Sequence, residues 1–197
     1  FIGEDDVLII SGDAACDLDL DELMRRHRAR NAAVTLALHR DAAPLRYGLA
    51  VTDATGAIRA FVEKPQWRQV VTDLVNTGIY VLSPRVLPLI PEEGPVDFAK
   101  DLFPLLLEKG ELLLGVPLEG YWCDVGDQRA YLSAQMDMMQ GRVRLPHPAG
   151  TDREARVDPS ARIEGDCVIG KGAVIGPGAY IRNAVIGENC VIGRNGI

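Results

Sequence analysis

The sequence contains no apolar run approaching the ~18 residues of a membrane-spanning helix, which excludes a helical membrane anchor within it. It has no Lys/Arg tract either, and 21 basic against 28 acidic residues give a formal charge of −7, so neither nucleic acid nor an anionic membrane surface is an expected partner. An anionic small molecule would then need locally placed cations or a metal ion. The four cysteines (Cys16, Cys123, Cys167, Cys190) form no C-x-x-C pair and are widely spaced, so no zinc site or disulfide framework is implied and a reducing cytoplasm is expected. Histidine is scarce: His27 falls on a helix face, His39 ends a strand and His147 lies in a polar stretch, which leaves no Ser/His or Cys/His nucleophile arrangement. No signal peptide is present. The chain starts at Phe1 and stops at Ile197 inside a repeat, so both ends look cut.

With 47% hydrophobic residues over 197, the chain can bury one substantial core and a smaller module beside it. The stretch Asp6-Val-Leu-Ile-Ile-Ser-Gly-Asp13, with Phe1-Ile2 upstream, has no helical period and ends at a glycine followed by a carboxylate. It predicts a buried parallel strand covered on both faces, with Asp13 presented where ligands sit in open α/β sheets. Asp19 with Glu22 makes a capping box before Leu20, Leu23, Met24 and His27, so the next helix does not need Asp13 as its cap. Strand composition at 33–38 then completes a strand-helix-strand unit.

Further along, residues 47–52 and 57–63 read as a hairpin through Asp53-Ala-Thr-Gly56, and the second strand ends at Glu63-Lys64-Pro65. The segment Leu74-Val-Asn-Thr-Gly-Ile-Tyr-Val-Leu82 has strand composition but holds polar Asn76, Thr77 and Gly78, an odd choice for a buried strand unless something polar binds there. Ser83-Pro84 predicts a serine-capped helix. A helix over about 102–109 closed by Gly110, a strand over 111–118, and a helix capped by Asp127 and stopped at Gly141 follow. Between the last two lies Gly120-Tyr-Trp-Cys-Asp-Val-Gly126, where Asp124 is a lone carboxylate among aromatic and small residues.

Beyond a linker at 143–156 the period changes. Val157, Ile163, Ile169, Ile175, Ile181, Ile186 and Ile192 recur every six residues with one step of five, and small residues follow most of them four places on. Such hexapeptide repeats predict a parallel β-helix of little more than two coils, with Cys167 and Cys190 at inward positions. The open end of a solenoid implies a homo-oligomer through the β-helix. The expected domains are therefore 1–142, the linker 143–156 and the β-helix 157–197.

Asp13 and Asp124, each at a strand end beside glycine, suit one Mg²⁺, which takes one or two protein carboxylates and completes its octahedron with water and phosphate oxygens. Lys64 is the expected phosphate partner, and Glu63, Asn76 and Thr77 can hydrogen-bond a polyhydroxylated ligand. A metal and one lysine point to phosphoryl or nucleotidyl transfer carried by positioning and charge neutralisation. The tract Asp17-Leu-Asp-Leu-Asp21 imitates a calcium loop but lacks its glycine and terminal glutamate.

Residues 10–20, Phe61-Val-Glu-Lys-Pro65, Val75-Asn-Thr-Gly-Ile-Tyr-Val81 and Gly120-Tyr-Trp-Cys-Asp-Val-Gly126, with hexapeptide repeats behind them, resemble the nucleotide-sugar pyrophosphorylases, sugar-phosphate nucleotidyltransferases. The likeness is greatest to the mannose-1-phosphate guanylyltransferases of the bacterial type with a phosphomannomutase-like domain after the β-helix. It implies an α/β fold, a partial Rossmann-like nucleotidyltransferase domain followed by a left-handed parallel β-helix. It further implies that Asp13 and Asp124 hold the metal, that Lys64 contacts the sugar phosphate, and that Gly48, Glu63, Asn76 and Thr77 contact the sugar. The implied substrates are a nucleoside triphosphate, GTP, and a sugar-1-phosphate, mannose-1-phosphate, giving a nucleotide sugar and pyrophosphate. The family's G-x-G-T-R loop has no counterpart here, so this piece alone should be inactive. The alternatives are a noncatalytic regulatory relative that binds nucleotide sugar and controls a partner subunit, or the same chemistry with glucose-1-phosphate and another triphosphate. A hexapeptide acyltransferase would need a histidine between coils, and none follows His147.

Overall fold

The computed structural model describes residues 4–91 and 93–197, so the Phe1-Ile2 pair expected to lengthen the first strand lies outside them. The chain divides into two compact units, Phe1–Asp124 and Val125–Ile197. In the first, β1 (Val7–Ile10), β2 (Ala14–Cys16), α1 (Leu20–Arg30), β3 (Val34–Arg40), β4 (Leu49–Thr52), β5 (Ile58–Val62), β6 (Leu74–Leu82), α2 (Phe103–Glu108), β7 (Leu113–Pro117) and β8 (Trp122–Asp124) follow in order. The main sheet runs β5-β4-β6-β3-β7, with β1 also on β6. It is mixed: β3 and β7 run parallel, and the other pairs are antiparallel.

β1 is not a buried parallel strand, because it pairs antiparallel with β6 and leaves Leu8 and Ile10 37% and 48% exposed. β6 lies between β1 and β3, so these two point the same way without touching as a ladder. A short apolar run encodes a tendency to be covered and says nothing of strand direction.

Both faces of the sheet's centre are covered, which explains its continuous apolar runs. Leu36 and Leu38 of β3 with Tyr80 and Leu82 of β6 pack against Phe103 and Leu106 of α2. On the other face Ala37, Val75, Ile79 and Val81 pack with Leu23 of α1 and with Trp122. Helix α1 is capped by Asp19, whose side chain accepts from Glu22 N at 2.9 Å, and it closes at Asn31 in the left-handed conformation. The serine cap expected at Ser83 is not formed. A 3₁₀ turn over Pro84–Leu89 takes the place of the helix, and the Ser83 hydroxyl donates to Ala32 O at 2.7 Å. A buried serine between two strands meets a carbonyl deficit there before it meets a helix end.

The second unit opens with α3 (Gln128–Met139), capped by Asp127 accepting from Ala130 N at 2.7 Å. Eight short parallel strands follow: β9 (Gly150–Thr151), β10 (Arg156–Val157), β11 (Arg162–Glu164), β12 (Val168–Ile169), β13 (Val174–Ile175), β14 (Tyr180–Arg182), β15 (Val185–Ile186) and β16 (Val191–Ile192). They form three ladders, β10-β13-β16, β11-β14 and β15-β12-β9, the faces of a left-handed β-helix. Its first rung, Gly150–Thr151 against Val168–Ile169, falls inside the stretch read as linker. The apolar residue of each hexapeptide stacks on the one three repeats along, Val157 on Ile175 and Ile163 on Ile181. Ile169, Ile175, Ala173 and Ala179 are buried because coils lie on both sides of them. Cys167 packs into the same core, whereas Cys190, with a coil on one side among the described residues, is exposed. Among the described residues no helix is long and apolar enough to cross a membrane.

Candidate active site

The polar Asn76-Thr77-Gly78 segment of β6 is an interruption in the ladder. Leu36 pairs with Tyr80 and Leu38 with Asn76, so β6 carries extra residues opposite Ala37. The bulge is satisfied internally. Thr77, 2% exposed, donates its hydroxyl to Ala37 O at 2.7 Å, and Gly78 N donates to Asn76 Oδ1 at 3.1 Å. Gly78 has φ +76°, and a Cβ there would stand 2.9 Å from that of Ser11. Only glycine permits this approach, which lets Ser11 N donate to Gly78 O at 3.1 Å.

Along one edge of β6, β4 pairs at Val75 and β1 pairs from Ile79 onward, and the bulge opens between them. A cavity of about 240 Å³ occupies that gap. Ser11 donates its hydroxyl to Asp13 Oδ1 at 2.5 Å on its rim. Asp124 arrives from β8, which pairs antiparallel with β2 so that Ala14 faces Asp124, and Asp13 immediately precedes that paired residue. Trp122, two residues earlier, anchors β8 by donating Nε1–H to Thr77 O at 3.1 Å. Glu63 Oε2 lies over Gly48, where a Cβ would come within 2.7 Å of it. Asn76 donates Nδ2–H to Tyr80 Oη at 3.0 Å, and its backbone N–H donates to Gly48 O at 2.8 Å.

Asp13, Asp124, Gly48, Glu63, Asn76 and Thr77 thus line one cavity. Lys64 does not: it is exposed just past the end of β5, with φ +43°, outside the lining. Thr77 contributes mainly backbone, since its hydroxyl is engaged. Among the described residues no group of three or more His, Cys, Asp and Glu side chains could hold a metal. Two adjacent carboxylates at an open polar rim are nevertheless an oxygen donor set suited to Mg²⁺, which keeps water and ligand oxygens for its other positions.

Sequence reasoning passed over Ser11, Arg46 and Tyr80, which also line the cavity. Ser11 and Tyr80 lay inside quoted motifs. Arg46 gave no signal beyond preceding Tyr47-Gly48. Burial holds the Tyr47 phenol above its ordinary pKa; the nearby Arg46 guanidinium opposes this, and Asp41 and Asp124 add to the rise, so the phenol stays a neutral hydrogen-bonding group.

Residues 1–141 match the nucleotidyl transferase family, and residues 153–183 match the bacterial transferase hexapeptide (six repeats). The mannose-1-phosphate guanylyltransferase catalytic subunit beta of Xenopus tropicalis is 32% identical over 145 residues, 73% of this chain and 39% of that protein. The mannose-1-phosphate guanyltransferase of Candida albicans is 38% identical over 127 residues, covering 64% and 34%. The UTP–glucose-1-phosphate uridylyltransferase of a Synechocystis strain is 32% identical over 143 residues, covering 72% and 37%. The chain therefore spans less than two fifths of the length of each. A Bacillus anthracis crystal structure described as a glucose-1-phosphate thymidylyltransferase shares the fold, with TM-score 0.60 at 21% identity over 74% of this chain and 57% of that one.

Proposed function

The chain belongs to the nucleotidyl transferase family, and on that premise we propose that its first unit forms the sugar-phosphate and metal side of a sugar-1-phosphate nucleotidyltransferase. A phosphate oxygen of the sugar-1-phosphate attacks the α-phosphorus of a nucleoside triphosphate, the bond from that phosphorus to the α,β-bridging oxygen breaks, and pyrophosphate leaves. The observation that carries this reading is one cavity lined both by two neighbouring carboxylates and by Glu63, Asn76 and Gly48. Asp13 and Asp124 hold Mg²⁺, whose chemistry is to neutralise phosphate charge as it redistributes. Glu63 accepts from sugar hydroxyls, Asn76 adds a second polar contact, and Gly48 keeps the backbone low enough for the ring to lie against it. Lys64, beside Glu63 on a flexible stem, reaches the sugar phosphate from outside the lining.

The substrate pair we favour is GTP and mannose-1-phosphate, supported by the guanylyltransferases among the relatives. The uridylyltransferase relative favours a second reading, UTP with glucose-1-phosphate. The solenoid supports a homo-oligomer, since hexapeptide coils present flat, stackable faces. A panel of four nucleoside triphosphates against mannose- and glucose-1-phosphate, read as pyrophosphate release by the full-length protein, tests the assignment. Turnover with neither sugar phosphate would refute it, and turnover with UTP and glucose-1-phosphate alone would select the second reading.

A further inference from the structure

The cavity is lined by three carboxylates, Asp13, Glu63 and Asp124, and by one cationic side chain, Arg46. Such surroundings should draw an arginine into an ion pair. Among the described residues, six other arginines of the first unit do pair with a carboxylate. Among the described residues Arg46 makes no such pair and no side-chain hydrogen bond. Its guanidinium carbon lies instead 5.7 Å from the centroid of the Tyr47 ring. Tyr47 in turn packs edge-on against Trp122, with centroids 5.1 Å apart, and Trp122 is the residue tied to the β6 bulge. The backbone beneath is fixed by the 3₁₀ turn Pro44–Arg46, in which Pro44 is buried and Tyr47 N donates to Pro44 O at 3.2 Å. Stacking on an aromatic ring holds a guanidinium in place while leaving its N–H edge unused. That edge is a planar fork matched to two oxygens of one phosphate, a geometry an ammonium group lacks.

Resting on the nucleotidyltransferase reading, we propose that Arg46 binds the phosphate of the sugar-1-phosphate inside the cavity. A charge-balancing arginine would sit on one of the three carboxylates, and Arg46 does not. Among the described residues it is the cationic side chain of that lining, and it offsets carboxylates that would otherwise repel a phosphate dianion. Lys64 then adds a second charge from outside.

The test uses the full-length protein with Mg²⁺ and titrates mannose-1-phosphate, inorganic phosphate and GTP separately by calorimetry, alongside steady-state kinetics. Arg46→Ala should weaken mannose-1-phosphate and inorganic phosphate by at least about tenfold, the scale of a lost charged hydrogen bond, while moving GTP by less than about twofold. Arg46→Lys should recover only part of the loss, because it restores the charge without the fork. Lys64→Ala, run in parallel, separates the two cations. Unchanged phosphate affinity in Arg46→Ala would overturn the proposal, as would equal losses for GTP and sugar phosphate, or a change confined to the Mg²⁺ requirement. A wild type that binds phosphate through Arg46 yet turns over no sugar-1-phosphate would remove the proposed reaction and leave the contact standing.

Discussion

In both units there are glycines whose Cβ position is occupied by another side chain, and what fills the space differs. At Gly78 the intruder is Ser11, from just past the end of β1, and the bulge that holds Gly78 interrupts β6 at one point beside the cavity. In the solenoid, Gly165, Gly172 and Gly178 have φ +69°, +68° and +69°, and each is overlain by the side chain of Asn183, Asn189 or Asn195 from the following coil. Those asparagines are themselves left-handed, at φ +46°, +57° and +55°. The same backbone conformation therefore recurs at each of these corners, first as glycine and then as asparagine, the residue that best tolerates it among those with a side chain. An irregularity that recurs with the repeat belongs to the scaffold. One confined to the middle of a strand, beside two carboxylates, marks a site.

The comparison can be broken most severely at Gly78. Gly78→Ala must strain a positive φ and push Ser11 away, which should cost about 1–3 kcal/mol and remove most turnover as Asp13 loses its support. Thermal denaturation with pyrophosphate release reads both, and normal activity would show that the bulge does not position the carboxylate. Next comes the division of labour within the bulge. Thr77→Val leaves Ala37 O without its donor and should lose about 1–3 kcal/mol of stability with little change in KM for the sugar phosphate. Asn76→Ala removes the acceptor of Gly78 N and should also cost some stability, but it alone should raise the KM for the sugar phosphate. Swapped outcomes would make Thr77 the ligand contact.

A smaller effect belongs to His27, 1% exposed, which lies between Thr35 Oγ1 at 2.8 Å and Ser83 Oγ at 3.1 Å. Ser83 already donates to Ala32 O, so His27 Nε2 carries the proton and donates, and Nδ1 accepts from Thr35. Burial holds its pKa below 6.5; Arg85 and Arg28 add to the lowering, and Asp6 opposes it. The unfolded chain then binds the proton more readily than the folded one, so this contribution is intact above pH 6.5 and is lost as pH falls from there through the folded pKa. The melting temperature should decline on that side, and His27→Gln should flatten the decline. A slope unchanged in His27→Gln would assign it to other groups. The smallest effect is expected at Gly172→Ala, where the Asn189 side chain can swing aside and only local left-handed strain of about 1–2 kcal/mol remains, with turnover unaffected.

What could be read before folding was whatever depends on local chemistry. The Asp19 cap of α1, the Asp53 to Gly56 hairpin, the strand over 74–82 and the hexapeptide period all stand where residue type and spacing put them. Asp53 shows why: its carboxylate accepts from Thr55 and Ala57 and meets Arg59, so the turn is closed by its own residues and the carboxyl is held well below its usual pKa. What depends on partners distant in sequence was not legible. The antiparallel insertion of β6 between β1 and β3, the Ser83 hydroxyl turned to Ala32 and the hydroxyl of Thr77 turned to Ala37 are choices among acceptors that only the folded sheet supplies. Within the site, Asp13, Asp124, Glu63, Gly48 and Asn76 were legible from strand ends and from likeness to a family. Arg46 was not, since nothing in the composition of a polar turn says which of its side chains the folded sheet will bring to a cavity.

The proposed task of Asp13 and Asp124, brought to one cavity where β2 meets β8, is phosphate chemistry and not stability. Its most direct measurement is kcat at saturating Mg²⁺ for Asp124→Asn and Asp13→Asn in the full-length protein, each beside its melting temperature. Both isosteric changes should leave the melting temperature near that of the wild type and reduce kcat by at least about a hundredfold. Near-normal kcat in either variant would contradict the metal assignment, and lost activity accompanied by a collapsed melting temperature would return that carboxylate to a structural role.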